Sequence, residues 1–142
     1  FRYDPAELGD LRFNLQTGAV LLADACCGKE AFDKSFRKFA AELFPTAKLE
    51  PVPVNDDLFG ADLNGTALNE ETIECRTEAG GLMRKAAPQL EGIKHQGRWV
   101  VLYSKYDIGC ALERHQASDC RGYSPASAQK IARAALLYTL RP

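Results

Sequence analysis

The chain has 142 residues, enough for one domain with a single real core. Its 46% hydrophobic and 26% charged residues are ordinary for a globular protein, and 18 basic against 19 acidic side chains leave a net charge of -1. That balance, with no basic stripe interleaved with aromatics, argues against nucleic acid, and no apolar run nears the roughly 20 residues that span a bilayer.

No basic, apolar leader of the signal-peptide kind opens the chain. It begins at Phe1 rather than Met, so we expect sequence upstream, and localisation is not legible from this end. Asp4-Pro5-Ala6-Glu7 reads as a helix start, with Asp as N-cap, Pro at the first helical position and Glu closing a capping box. Leu8, Leu11 and Leu15 follow at helical spacing, and Gly18 stops the helix. Residues 19–23 are apolar throughout, the pattern of a central parallel strand covered on both faces.

That run ends abruptly in Asp24, Cys26, Cys27 and Gly28, and a helix is predicted over about 29–44. Its stripe of Phe32, Phe36, Phe39, Ala40 and Leu43 stands apart from Lys34, Arg37, Lys38 and Glu42. Strand, sharp turn and helix form the geometry that lifts one side chain above the edge of an α/β sheet. A cysteine at that crest is either a nucleophile or a small residue packed at a tight turn.

Pro51 and Pro53 make residues 50–54 an edge or extended segment, and residues 55–69 carry turn chemistry. A short strand is expected within 72–77, broken by Gly80-Gly81. Residues 90–94 and 98–103 flank a His95-Gln96-Gly97 turn and read as paired strands, the second apolar on both faces. A polar loop covers 104–123, and Ser124-Pro125 caps a last helix to about residue 140 that is apolar nearly all round and so is expected to be well buried. Helices alternating with apolar strands predict an α/β fold arranged as a three-layer α/β/α sandwich. Two interior strands are thin for a complete sheet. We therefore expect the single domain over 1–142 to be the C-terminal part of a larger one, with an upstream segment or another chain completing the sheet.

Leu21-Leu22-Ala23-Asp24-Ala25-Cys26-Cys27-Gly28, then Ala31-Phe32-Asp33 with Phe36-Arg37, resembles a bacterial family. So do Leu90-Glu91-Gly92-Ile93 with Gly97-Arg98, the run from Tyr103 through Asp107 to Cys110, and Gly122-Tyr123-Ser124-Pro125-Ala126-Ser127-Ala128. The family is the one catalogued as domain of unknown function 4159. The resemblance implies a flavodoxin-like sheet of the class I glutamine amidotransferase-like superfamily, with further strands upstream, in a larger bacterial protein. It brings no activity, cofactor or ligand with it.

In amidotransferase-like enzymes the elbow reads Gly-x-Cys-x-Gly, which laid on Asp24-Ala25-Cys26-Cys27-Gly28 makes Cys26 the nucleophile and Gly28 the trailing glycine. A helix N-terminus favours a thiolate and offers backbone N–H groups to an oxyanion. Asp24, however, stands where the first glycine belongs, and its carboxylate opposes a thiolate. A base is needed, and only His95 and His115 exist; His95 falls in a hairpin turn, whereas His115 follows an interior strand. Tyr103, Ser104 and Asp107 would cluster at that strand's C-terminal end. There Asp107 either serves a site or bonds its own loop backbone. Asp24, Cys27, Gly28, Tyr103 and Ser104 are accordingly candidate binding residues, and Cys26, His115 and Asp107 candidate catalytic ones.

Five cysteines leave at least one unpaired. Cys75 reads as a free core thiol. Cys110 and Cys120 suit a disulfide in an exported protein, or with His115 and Cys26 or Cys27 a zinc site. Their spacing is unlike a paired knuckle, so no metal and no cofactor is assigned. Two functions compete: a non-catalytic binding or regulatory domain, and a cysteine-dependent hydrolase or transferase using Cys26. A structural role inside a larger envelope protein is a third.

Overall fold

The computed structural model describes residues 2–141. They form a mixed α/β structure of five α-helices and seven strands in two sheets. Helix α1 (Pro5–Gln16) starts as expected: Asp4 accepts the Ala6 and Glu7 N–H groups at 2.8 and 2.9 Å, and Glu7 accepts the Asp4 N–H at 2.9 Å. Strand β1 (Leu21–Asp24) leads through a 3₁₀ turn at Cys26–Gly28 into α2 (Glu30–Leu43), which buries Phe36, Phe39, Ala40 and Leu43.

β2 (Glu50–Pro51), β3 (Glu74–Arg76) and β4 (Arg84–Lys85) are short. β5 (Glu91–His95) and β6 (Arg98–Ser104) form the expected hairpin. Gln96 and Gly97 turn it with φ of 50° and 80°, the left-handed pair that matches the twist of the strands. Short helices α3 (Ala61–Asn64) and α4 (Gly109–Leu112) and strand β7 (Gly122–Tyr123) break up segments that read as loops in the sequence. Ser124 caps α5 (Pro125–Thr139) by accepting the Ser127 N–H.

The larger sheet runs β1-β6-β5-β2, with β1 parallel to β6 and the remaining pairs antiparallel; the smaller runs β4-β3-β7. β6 divides the core. Trp99 and Leu102 join a cluster containing Ile131, Ala134 and Ala135 of α5, while Val100, Val101 and Tyr103 join one containing Leu15 of α1 and Phe36, Phe39 and Leu43 of α2.

Two expectations are corrected. β1 is parallel but sits at the edge of its sheet, pairing with β6 alone among the described residues, and Leu22 is 40% exposed. An apolar run reports that a strand can be covered and does not say which neighbours are at hand to cover it. The last helix is buried on one face only: Leu136 and Leu140 stand in solvent, opposite a seam of alanines. Among the described residues no helix is long and apolar enough to cross a membrane.

Candidate functional site

β1 and β6 end together, with Asp24 opposite Ser104 in the ladder. Ala25 extends the pairing by donating its N–H to the Ser104 carbonyl at 2.9 Å. The chain then turns sharply. Cys27 has φ 50° and ψ 25°, a left-handed conformation that is strained for a side chain of its kind, and Gly28 follows at φ 62°. Gly28 also leaves room for residue 121: a Cβ there would lie 2.8 Å from the Arg121 Cβ. Arg121 donates its N–H to the Cys27 carbonyl at 3.3 Å and its guanidinium to the Gly28 carbonyl.

Asp107 holds this turn from beneath. It is fully buried, and its Oδ1 accepts the N–H groups of Cys27 at 3.0 Å and Cys110 at 3.3 Å. Oδ2 accepts the Ala111 N–H at 3.0 Å and the Gln116 side-chain amide at 3.3 Å. Gly122 makes the fit possible, because a Cβ there would meet the Asp107 Cβ at 2.6 Å. Asp24 does similar work next door: its Oδ2 accepts the Ile108 N–H at 2.7 Å and the Gly109 N–H at 3.0 Å. Ser104 closes its own loop, donating to the Tyr106 carbonyl at 2.6 Å and accepting the Tyr106 N–H at 3.1 Å. The Ser104 bonds and those of Asp107 to Cys110 and Ala111 are the local ones such side chains favour in turns, whereas Asp24 and the Asp107–Cys27 bond tie together segments 80 or more residues apart.

Four of the five cysteines meet here. Cys27 is disulfide-bonded to Cys120, 93 residues away. Cys26 is exposed, and its Sγ lies 3.3 Å from the Sγ of the half-buried Cys110. One side-chain ligand atom from each of Cys26, Cys27, Asp107 and Cys110 falls within 4.8 Å of the others. The Asp107 carboxylate and the Cys26 sulfur, with burial, push the Cys110 thiol up to about 12, so it holds its proton. Arg76 steadies the loop bearing Cys120 by donating from Nη1 to the carbonyls of Ala117, Ser118 and Cys120.

The structure brings Asp24, Cys26, Cys27, Gly28, Ser104 and Asp107 to one corner. Tyr103 belongs elsewhere. Its ring stacks on Phe36 at 4.2 Å in the α2 cluster, and its hydroxyl donates to Asp33 at 2.9 Å. His115 is exposed and stands outside the sulfur cluster; its backbone N–H reaches the Cys110 carbonyl at 2.9 Å, and its ring does not join.

The Cys110–Cys120 disulfide is a further correction. Asp107 and Gly122 pair as a parallel bridge, which lays residues 120–121 against the Cys26–Gly28 turn and delivers Cys120 to Cys27. Cys75 is free and buried, as expected, and burial pushes its thiol up to about 12. Gln116, Arg76 and Arg121 carry no signal in the sequence beyond polarity. Cys110 and Cys120 carried one, but even spacing within one loop pointed each at the other rather than at the vicinal pair across the turn.

Chemically, the corner offers sulfur and little else. Both carboxylates are committed to backbone donors, and the atom nearest the exposed Cys26 sulfur in the hydrogen-bond pattern is a second thiol. The family model described as Domain of unknown function (DUF4159) matches residues 1–140, and the chain belongs to that family. No curated protein matches it.

Proposed function

We propose that the chain is a non-catalytic binding or regulatory domain of glutamine amidotransferase-like, flavodoxin-like fold, carried within a larger bacterial protein. One observation supports this most. Asp107, the carboxylate best placed to serve Cys26, already accepts four hydrogen bonds, and no imidazole of the described residues bonds the Cys26 thiol. A nucleophilic cysteine without a base lacks the group that takes its proton and returns it to the leaving group. The amidotransferase-like fold rests on the motif resemblance and on the strand-turn-helix at Cys26–Gly28. The free edge of β1 suits further strands, from an upstream segment or another chain, that would cover the half-exposed Leu22.

The exposure of Cys26 favours a second reading, a cysteine-dependent hydrolase or transferase. Alkylation separates the two. Iodoacetamide labelling of the whole protein with the Cys27–Cys120 bridge intact, mapped by peptide mass, should find Cys26 reacting no faster than a cysteine peptide. Labelling far ahead of that peptide at about pH 6, the mark of an activated thiolate, would overturn the non-catalytic reading.

A further inference from the structure

We propose that the reduced protein holds one soft divalent cation of the zinc class through the sulfurs of Cys26, Cys27, Cys110 and Cys120. The inference names what the corner binds, and so rests on reading it as a binding site. Three of the sulfurs already lie within 4.8 Å of one another, and the fourth, Cys120, is bonded to Cys27. In a tetrahedral thiolate site with metal–sulfur bonds of about 2.3 Å, neighbouring sulfurs stand about 3.8 Å apart. The Cys26 and Cys110 sulfurs at 3.3 Å need only spread slightly around an ion.

The surroundings have the form of an outer shell. Asp107 holds the backbone of two ligands at once, accepting N–H groups from Cys27 at 3.0 Å and Cys110 at 3.3 Å. With its oxygens also taking Ala111 and Gln116, it orients ligand-bearing residues rather than competing for the ion. Arg76 fixes the Cys120 loop through three carbonyls, and the Arg121 contacts fix that loop against the turn. Rigid, outer-held ligands of a single soft type select zinc-class ions over calcium or magnesium.

The disulfide makes the site conditional. A dithiol such as dithiothreitol supplies two electrons and two protons to the Cys27–Cys120 bond and leaves as its cyclic disulfide. Four thiols then result. The cation replaces their four protons, which pass to buffer, and four metal–sulfur bonds form without further change in oxidation state.

Cobalt(II) is the probe. The whole chain is reduced, freed of dithiothreitol without air, and titrated. We expect one equivalent to give thiolate-to-cobalt charge transfer with tetrahedral ligand-field bands, and zinc(II) to displace it. Cys26→Ser and Cys110→Ser should each weaken binding about tenfold or more, whereas Cys75→Ala should leave it unchanged, and the oxidised chain should show no such band. If reduction melts the circular dichroism, zinc(II) must restore it. Failure of restoration overturns the proposal, as does a folded reduced chain without the band or a band indifferent to Cys26→Ser and Cys110→Ser. Loss of the band with Cys26 cross-linked to Cys110 would make the corner a dithiol redox pair instead. None of these outcomes touches the alkylation result, which is read on the oxidised, metal-free chain.

Discussion

Two carboxylate centres in this protein are held in opposite ways. Asp107 is fully buried at the strand ends and faces no cation in its hydrogen bonds; its oxygens take three backbone N–H groups and one side-chain amide. On the α2 side, Asp33 and Glu91 share Arg37, which donates its Nε to Asp33 at 3.1 Å and its two terminal nitrogens to Glu91 at 3.0 and 2.6 Å. That trio is partly exposed. The difference is one of escape. Side chains that lose a partner at the surface turn to water, whereas backbone donors fixed by a strand-to-helix turn cannot. The strand-end carboxylate is therefore a peg for the main chain, and the α2 cluster is a strap between α2 and β5.

The peg should fail hardest. Asp107→Ala strips the acceptor from Cys27, Cys110 and Ala111 at once, and stranded buried donors cost about 1–3 kcal/mol each. With water entering part of the space, we expect a loss of about 3 kcal/mol or more in chemical denaturation. Asp107→Asn keeps one oxygen but turns an NH₂ toward donors, so it should fall between the two. A loss under about 1 kcal/mol for Asp107→Ala would show that the turn stands on the disulfide and the Arg121 contacts without the carboxylate.

The same contrast explains what could be read from the sequence. The Asp4 cap, the Gln96-Gly97 turn and the Ser124-Pro125 helix start are decided within a few residues, and each forms where the pattern placed it. Asp107 was legible as a polar residue at a strand end, and its local bonds to Cys110 and Ala111 are those an Asp makes in a loop. Its bond to Cys27 spans 80 residues and was not legible. The Cys27–Cys120 pairing depends on the Asp107–Gly122 bridge, a contact of the fold that no spacing rule contains. The edge position of β1 likewise depends on strand order. Apolar composition says how a strand is dressed and leaves open where it stands.

The strap should give way gently. Tyr103→Phe deletes only the 2.9 Å bond to Asp33 and keeps the stack on Phe36. Asp33 retains Arg37, so no buried charge is orphaned. The expected loss is about 1 kcal/mol, the net value of one hydrogen bond to a charged or partly buried acceptor. A loss as large as that of Asp107→Ala would mean that the α2 face is pinned by its polar network and not by its aromatic packing.

The smallest effect is one of pH. Burial works to raise the Asp33 carboxyl, but hydrogen bonds from Arg37 and Tyr103 with the Arg37 charge outweigh it and hold the group below its usual range. A carboxyl depressed in the folded state adds stability that is fully present above its unfolded pKa of about 3.9. That stability drains as pH falls through the lower folded value, because the unfolded chain takes up the proton first. Asp33→Asn should therefore flatten the acid limb of stability below about pH 4 and leave the slope near neutrality alone. Tyr103→Phe should flatten it partly, since it removes one of the two bonds that lower the group. If neither variant changes the acid limb, solvent already screens the strap, and its hold on β5 comes from the Arg37–Glu91 fork alone.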